Sequence, residues 1–174
     1  MNDTVMSVIA IFLAAVLMFI FPLMSTADRS DDVSQQAVQT ATTEFVDNIR
    51  STGKITQDKY DNFSSTIAAT GNSFDVELEA EKLDDSARKK TTQASKTKVG
   101  ENNYYSEYTS QIESVMASNG EYDLKEGDII SVKVKNTNKT MSQVLKNFFY
   151  SITGNDTYNI AAQHSGIVNV NASK

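Results

Sequence analysis

The side chains that could do chemistry in this chain are few. His164 is its single histidine, and it has no cysteine. A metal site on His164 would need several carboxylates gathered around it, so its expected role is that of an ordinary strand residue at a surface or in packing. Without cysteine, disulfides, zinc–thiolate sites and thiol catalysis are excluded. Serines are many, yet none stands with a partner base in a recognisable nucleophile pattern, and no Gly-rich phosphate loop or HExxH pair occurs. The chain therefore offers no candidate catalytic, cofactor-binding or metal-ligating residue. No cofactor and no small-molecule substrate are expected, and it is not read as an enzyme.

The carboxylates admit two readings each. Asp28, Asp31 and Asp32 could contribute to a calcium site, but they lack the ordered oxygen-ligand spacing of a calcium loop, and a solvated stretch just past the apolar run is the simpler role. Asp75, Glu77, Glu79 and Glu81 alternate with apolar residues, as the wet face of a strand does. Pairing with Lys133 and Lys135 across a sheet would also set register. Tyr104, Tyr105 and Tyr108 follow a basic stretch and are the best surface candidates for capturing a ligand, although core packing accounts for Tyr105 and Tyr108 as well. Sequons at Asn62, Asn138 and Asn155 matter only in a host that glycosylates exported proteins. The net charge of −6 argues against nucleic acid, whose phosphates need a basic surface. It also gives no pull toward anionic lipid heads, so any membrane contact must come from apolar residues. Ser, Thr and Asn make up 50 of the 174 residues, a composition suited to a hydrated, exposed surface.

Those apolar residues stand at the start of the chain. Thr4 to Ala27 carries no charge, and Pro22, the one proline, lies near its end. As a helix, the roughly 20 residues from Val5 to Met24 cross a hydrocarbon core of about 30 Å. A cleavable signal peptide is the rival reading, since Ser25-Thr26-Ala27 would serve as a cleavage site. The flank Met1-Asn2-Asp3-Thr4 has no Lys or Arg, and the apolar run exceeds the usual signal length; a retained anchor is the expectation. Asp3, Val5, Ile9, Phe12, Val16, Leu17, Phe21 and Pro22 are the candidates for membrane or assembly contacts. Asp3 could neutralise an α-amino charge, and Pro22 permits a kink. Arg29 gives the positive-inside rule only a weak preference, and for the orientation opposite to an exported domain.

Beyond the run, Val33, Ala37, Ala41, Phe45 and Ile49 recur every four residues with Val38 and Val46 beside them. They predict an amphipathic continuation of the same helix, packed on a downstream head and ended by Ser51-Thr52-Gly53. Three parts follow: an anchor over 1–27, an amphipathic extension over 28–54 and a head over 55–174. Thr56 is placed to cap a helix from Gln57 to Thr70, with Ile55 and Tyr60 as a hydrophobic staple. Phe74 to Glu81 reads as a half-buried antiparallel strand, and Lys82 to Asn103 as an exposed loop. Tyr105, Tyr108, Ile112, Val115 and Met116 suggest a third helical stripe closed at Asn119-Gly120, and Leu124 to Gly127 a turn. Ile130, Val132 and Val134 mark a second strand. Thr140 caps a fourth helix with Met141, Val144, Leu145, Phe148, Phe149 and Ile152 on its apolar face. Gly154-Asn155-Asp156 breaks it, and Tyr158 to Val170 is a third strand. The predicted class is α+β: a long N-terminal helix, transmembrane then amphipathic, and a small head with a roughly three-stranded sheet and packed helices. Direct parallel pairing of the last two strands would need a right-handed crossover.

This layout resembles the type IV pilin superfamily, in which an apolar helix continues as an amphipathic one and carries a small α/β head. The stretches Asp128-Ile129-Ile130-Ser131-Val132-Lys133-Val134, Val144-Leu145-Lys146-Asn147-Phe148-Phe149 and Tyr158-Asn159-Ile160-Ala161-Ala162 to Val168 are similar to the strand, short helix and small-residue strand of TadE-like minor pilins (pseudopilins) of tight-adherence pilus systems. The resemblance implies a structural component of a bacterial Tad-type pilus or of its assembly machinery. Its partners would be the membrane and other pilin-like subunits or copies of itself. The head would stand outside the cytoplasmic membrane or in a surface filament. Val5 stands where pilins carry a glutamate, and Asp3 is the nearby carboxylate that could substitute. The alternative is a membrane-tethered extracytoplasmic domain for ligand binding or adhesion.

Overall fold

A computed structural model describes residues 2–83, 104–150 and 159–172, with the backbone alone for residues 2 and 148–150. Within them the order is α1 (Asn2–Thr52), β1 (Lys54–Thr56), α2 (Gln57–Ala68), β2 (Phe74–Leu83), β3 (Tyr104–Tyr108), α3 (Thr109–Asn119), β4 (Glu121–Asp123), β5 (Ile129–Asn136), α4 (Met141–Tyr150) and β6 (Ala161–Ile167). The class is α+β. One four-stranded antiparallel sheet has the order β3-β2-β5-β6, and β1 pairs with β4 in a two-stranded antiparallel sheet.

α1 is one helix of 51 residues. No glycine interrupts it, and it runs through Pro22, with the Thr26 hydroxyl donating to the Pro22 carbonyl at 2.9 Å. Its first half is apolar on every side and uncovered, and it is long and apolar enough to cross a membrane. The second half is packed. Val38, Ala41, Phe45, Val46 and Ile49 are buried in the core with Leu78, Ala80, Ile130, Val132, Val134 and Ala162. Each Val, Leu, Ile or Phe side chain so withdrawn from water contributes about 1.5–3 kcal/mol, and each Ala less.

The predicted stripe on this helix needs a correction. Ala41, Phe45 and Ile49 are buried, but Val33 is 68% exposed and Ala37 is also exposed. A strict spacing of four residues drifts by about 40° per step around a helix of 3.6 residues per turn. Five such residues therefore cannot share one face. The packed face instead starts at Ser34 and Val38 and includes Thr42. Ser34 and Thr42 are polar, but their hydroxyls donate to the carbonyls of Ser30 (2.9 Å) and Val38 (2.7 Å), four residues back. That bond satisfies the hydroxyl inside the helix and lets it be buried.

β6 lies along α1. The side-chain amide of Gln35 donates to the Ala161 carbonyl at 2.6 Å and accepts from the Ala161 amide at 2.9 Å. Higher up, Arg50 Nε donates to the Ile167 carbonyl at 2.9 Å, and the Asn169 amide donates to the Arg50 carbonyl at 3.0 Å. Fifteen residues of helix from Gln35 to Arg50 rise about 22 Å, and six of strand from Ala161 to Ile167 about 20 Å. The two segments therefore match in length and direction. The small residues of β6 follow from this contact. A Cβ on Gly166 would stand 2.5 Å from Arg50 Cδ.

α2 starts at Thr56, whose hydroxyl oxygen accepts from the Lys59 amide at 3.4 Å. It packs on α1 through Phe63, stacked on Phe45 with ring centroids 4.5 Å apart. It ends at Ala68, two residues short of the predicted Thr70. Gly53 joins α1 to β1 with φ +68, and a Cβ there would lie 2.6 Å from backbone atoms of Val170 and Ala172. Glycine is the residue for both conditions.

Further details differ from expectation. Tyr104 to Tyr108 form edge strand β3, so Tyr105 and Tyr108 are not in α3, which begins at Thr109 and buries Ile112 and Met116. A run of aromatics fits a pleated surface, and β2 offers the open edge. β2 extends through Lys82 and Leu83, so the predicted exposed loop does not start at Lys82. The roughly three-stranded sheet is present as β2, β5 and β6, with β3 added at the edge of β2, and the pair β1–β4 forms a second sheet. β5 and β6 pair directly but antiparallel, in a register from Ile129↔Ile167 to Lys135↔Ala161, so no crossover is involved. β6 covers Ala161–Ile167 rather than the whole of Tyr158 to Val170. Residues 84–103 of the predicted loop, Ile152, Gly154-Asn155-Asp156 and Tyr158 lie outside the described residues.

Candidate functional site

The candidate assembly residues lie on the uncovered half of α1. Val5, Ile9, Phe12, Leu17, Phe21 and Pro22 are exposed, and Val16 is half-buried. Asp3 is in the first turn, where its carbonyl accepts from the Ser7 hydroxyl at 2.8 Å. An acidic residue suits the positive end of a helix dipole. At 3.6 residues per turn Val5, Ile9, Phe12 and Val16 share one side of the helix within about 60°, while Leu17 and Phe21 lie on another and Pro22 on a third; the apolar residues between them fill the rest of the circumference. What they make is an apolar cylinder, able to bury itself in lipid or against other apolar helices.

The cylinder meets the head at Asp28. There the Ser142 hydroxyl donates to Asp28 Oδ1, and Lys146 Nζ lies 2.6 Å from the same oxygen. The hydrogen bond from Lys146, then that from Ser142, hold the Asp28 carboxyl below its ordinary value. One turn on, the Thr140 hydroxyl donates to Asp31 Oδ2 at 2.6 Å. Thr140 also caps α4 as expected: its side chain accepts from the Gln143 amide at 3.2 Å, and its amide donates to Gln143 Oε1 at 3.0 Å. Asp28 and Asp31 thus clasp α4. Among the described residues no group of three His, Cys, Asp or Glu is arranged to hold a metal ion. A cleft of about 280 Å³ lies over this clasp, between Asp28, Asp31, Asp32, Ser142, Gln143 and Lys146.

A second concavity lies on the outer face of the sheet. Glu77 stands opposite Lys133, with Lys133 Nζ 3.1 Å from Glu77 Oε2, so the predicted cross-strand pairing occurs there. Asp75 stands opposite Lys135 in the same register. Glu77, Glu79, Tyr108, Ser131, Lys133 and Gln163 line a groove of about 510 Å³. Tyr104 and Tyr108 pair with Leu83 and Glu79, whereas Tyr105 pairs with Lys82, so period-two alternation puts Tyr105 on the other face. The three tyrosines therefore do not form one surface.

Two arrangements escape sequence reasoning. Asp128 is buried, and its carboxylate accepts from the Leu83 amide and the Lys125 amide, each at 2.8 Å. It ties the turn before β5 to the end of β2. Its position directly after Gly127, in a predicted turn, is the signal that an Asp is bonding locally to backbone. The second arrangement is Tyr122, whose hydroxyl donates to Glu107 at 2.5 Å while Lys82 Nζ sits 4.3 Å over its ring and 3.4 Å from Glu107. Burial, then the Glu107 carboxylate, raises the Tyr122 pKa. The members of this cluster satisfy one another.

His164 is half-buried on β6, with Nε2 3.8 Å from Asp47 of α1. Comparison of the chain with protein-family models, with curated proteins and with solved structures finds no match to any of them.

Proposed function

We propose that this chain is a single-pass structural subunit of a bacterial surface filament of the type IV, Tad-like kind, or of the machinery that assembles it. It acts by packing rather than by catalysis. The observation that carries this reading is the continuity of α1. One helix is bare and apolar through its first half and locked into a small α+β head through its second. That shape lets identical or similar subunits bundle their apolar halves while their heads face outward. Val5 to Phe21 would leave lipid for a filament core, where close helix contacts must replace lipid contacts. The head would stand outside the cytoplasmic membrane.

The test is genetic and biochemical. In cells carrying only a Leu17→Asp variant, the chain is expected to lose membrane retention or to be missing from sheared surface fibres. Normal fibres containing the variant would overturn the reading.

The groove on the sheet favours a second reading, a tethered domain that binds a polyhydroxylated ligand such as a glycan. Tyr108 is 57% exposed at its rim, and carboxylate, amide and hydroxyl groups lie beside it. Aromatic face and polar edge together are what a sugar requires. Full-length protein in detergent, titrated with cell-wall glycans, would show saturable binding lost in Tyr108→Ala. Absence of binding to the unaltered chain removes this reading.

A further inference from the structure

We propose that α4 lies on the surface of the bilayer that α1 crosses, as a second, interfacial contact between head and membrane. The inference rests on the reading of α1 as a membrane span.

Three observations fix where α4 must be. First, its height is set by its clasp on α1. Ser142 and Lys146 meet Asp28, and Asp28 is four residues past the apolar run that ends at Met24. Four residues of helix rise about 6 Å, which is within the headgroup layer of a bilayer. Second, its direction is set by the order of the contacts. Thr140 meets Asp31 while Ser142 and Lys146 both meet Asp28, so about 9 Å of α4 advances only about 4.5 Å along α1, and α4 crosses α1 aslant with its last turn on the side of the apolar half. Third, its rotation is set by which residues the clasp uses. Ser142 and Lys146 are one turn apart and face α1. Met141 and Val144 lie on another side of α4 and are 63% and 52% exposed.

A short helix with one side tied to a membrane exit and an apolar side left open has the form of an interfacial helix. The seam beneath it suits that position. Lys146 neutralises Asp28, so the carboxylate of the clasp nearest the apolar run brings no unpaired charge to the lipid boundary. Arg29 and Lys139 are exposed close by and available to lipid phosphates.

The absence of cysteine lets one position at a time carry an environment-sensitive fluorophore. Full-length Leu13→Cys, Val144→Cys and Asp58→Cys are labelled and reconstituted in phosphatidylcholine–phosphatidylglycerol vesicles, with spin-labelled lipids as quenchers at two depths. Asp58 is the distant control, because the end of α1 nearest it is about 36 Å beyond Asp28. The expected result is quenching of Leu13 by the deep quencher and of Val144 by the shallow one, with Asp58 several-fold less affected. Met141→Asp with Val144→Asp, read from a label at Asn147→Cys, should abolish the shallow quenching at an unchanged melting temperature. Three results overturn the proposal. Leu13 quenched with Val144 resembling Asp58 means that the span stands and α4 is clear of the membrane. A Val144 label shielded in proportion to the protein-to-lipid ratio, and blind to the lipid quencher, means that a second copy covers α4. Leu13 unquenched removes the span and this inference with it.

Discussion

The two halves of α1 share a backbone and differ in what surrounds them. Before Met24 the helix is apolar on every side and largely exposed; from Ala27 onward one face is sealed by β5, β6, α2 and α4, and the rest is mostly polar. Among the described residues nothing covers the first half from water, so its stability depends on an outside solvent, lipid or other helices. The second half gets its protection from within. A single helix can therefore report on two environments, and substitutions in the two halves should separate them.

The strongest separation comes from placing a carboxylate in each half. Ile49 is fully buried, and Ile49→Asp would bury an unpaired charge at a cost of about 4 kcal/mol or more. The head should lose its cooperative melt by circular dichroism. Leu17→Asp should leave that melt unchanged and cost about 3 kcal/mol of insertion at a span's centre, read as loss from the membrane fraction. A lowered head melting temperature in Leu17→Asp would break the comparison.

A smaller effect is expected at the joint where the packed half ends. Gly53→Ala imposes a left-handed backbone on alanine and drives its Cβ into Val170 and Ala172. The loss should be about 2–3 kcal/mol in denaturant unfolding, with membrane retention intact.

Alkaline pH tests the packed half without mutation. Burial, then the neighbouring Glu113, pushes the Tyr60 hydroxyl up to about 12. A proton held more tightly when folded favours the fold below the ordinary tyrosine value of about 10, and that advantage is lost as the pH rises through the folded value. The denaturation midpoint should hold to about pH 10 and then fall. Tyr60→Phe should make the fall shallower, while Tyr122, also raised, keeps part of it.

The smallest effects belong to the border and the outer side of α1. Asp28→Asn removes the carboxylate that pairs with Lys146 at 2.6 Å and should raise hydrogen exchange in α4 while leaving α1 around Ile49 protected. The wild-type contribution, from a lowered carboxylate, is present above the ordinary range near about pH 3.9 and is lost as the pH falls through the folded value. Val33→Ser, on the exposed side, should change stability by no more than about 0.5 kcal/mol.

Much of this was legible in residue patterns, and the exceptions share a cause. The alternation of β2 and β5 was readable because each has one dry face, and Glu77 against Lys133 followed from it. The caps at Thr56 and Thr140 were readable because capping is local. Strands β1 and β4 were not, since three residues are too few to show a period. Tyr105, Tyr108 and Ile112 fell by chance at helical spacing, and only the open edge of β2 decides that β3 is a strand. On α1, counting apolar residues drew in Val33 and missed Ser34 and Thr42, because a hydroxyl bonded to its own helix can be buried. The clasp at Asp28 joins residues 114 positions apart in sequence, a pairing that no local pattern encodes. The bare half of α1 was the easiest of all to see, because an uninterrupted apolar run needs no tertiary context to be recognised.

The match in length between β6 and α1 has a mechanical consequence. Tension applied to the apolar half and resisted by the head would run along the helix axis, parallel to the strand beside it. The Gln35 and Arg50 links at the two ends of that seam would then carry load together, in shear, rather than rupture one after another. A head mounted in this way passes traction from the apolar half into the edge strand of its sheet, and from there across the ladder to β5.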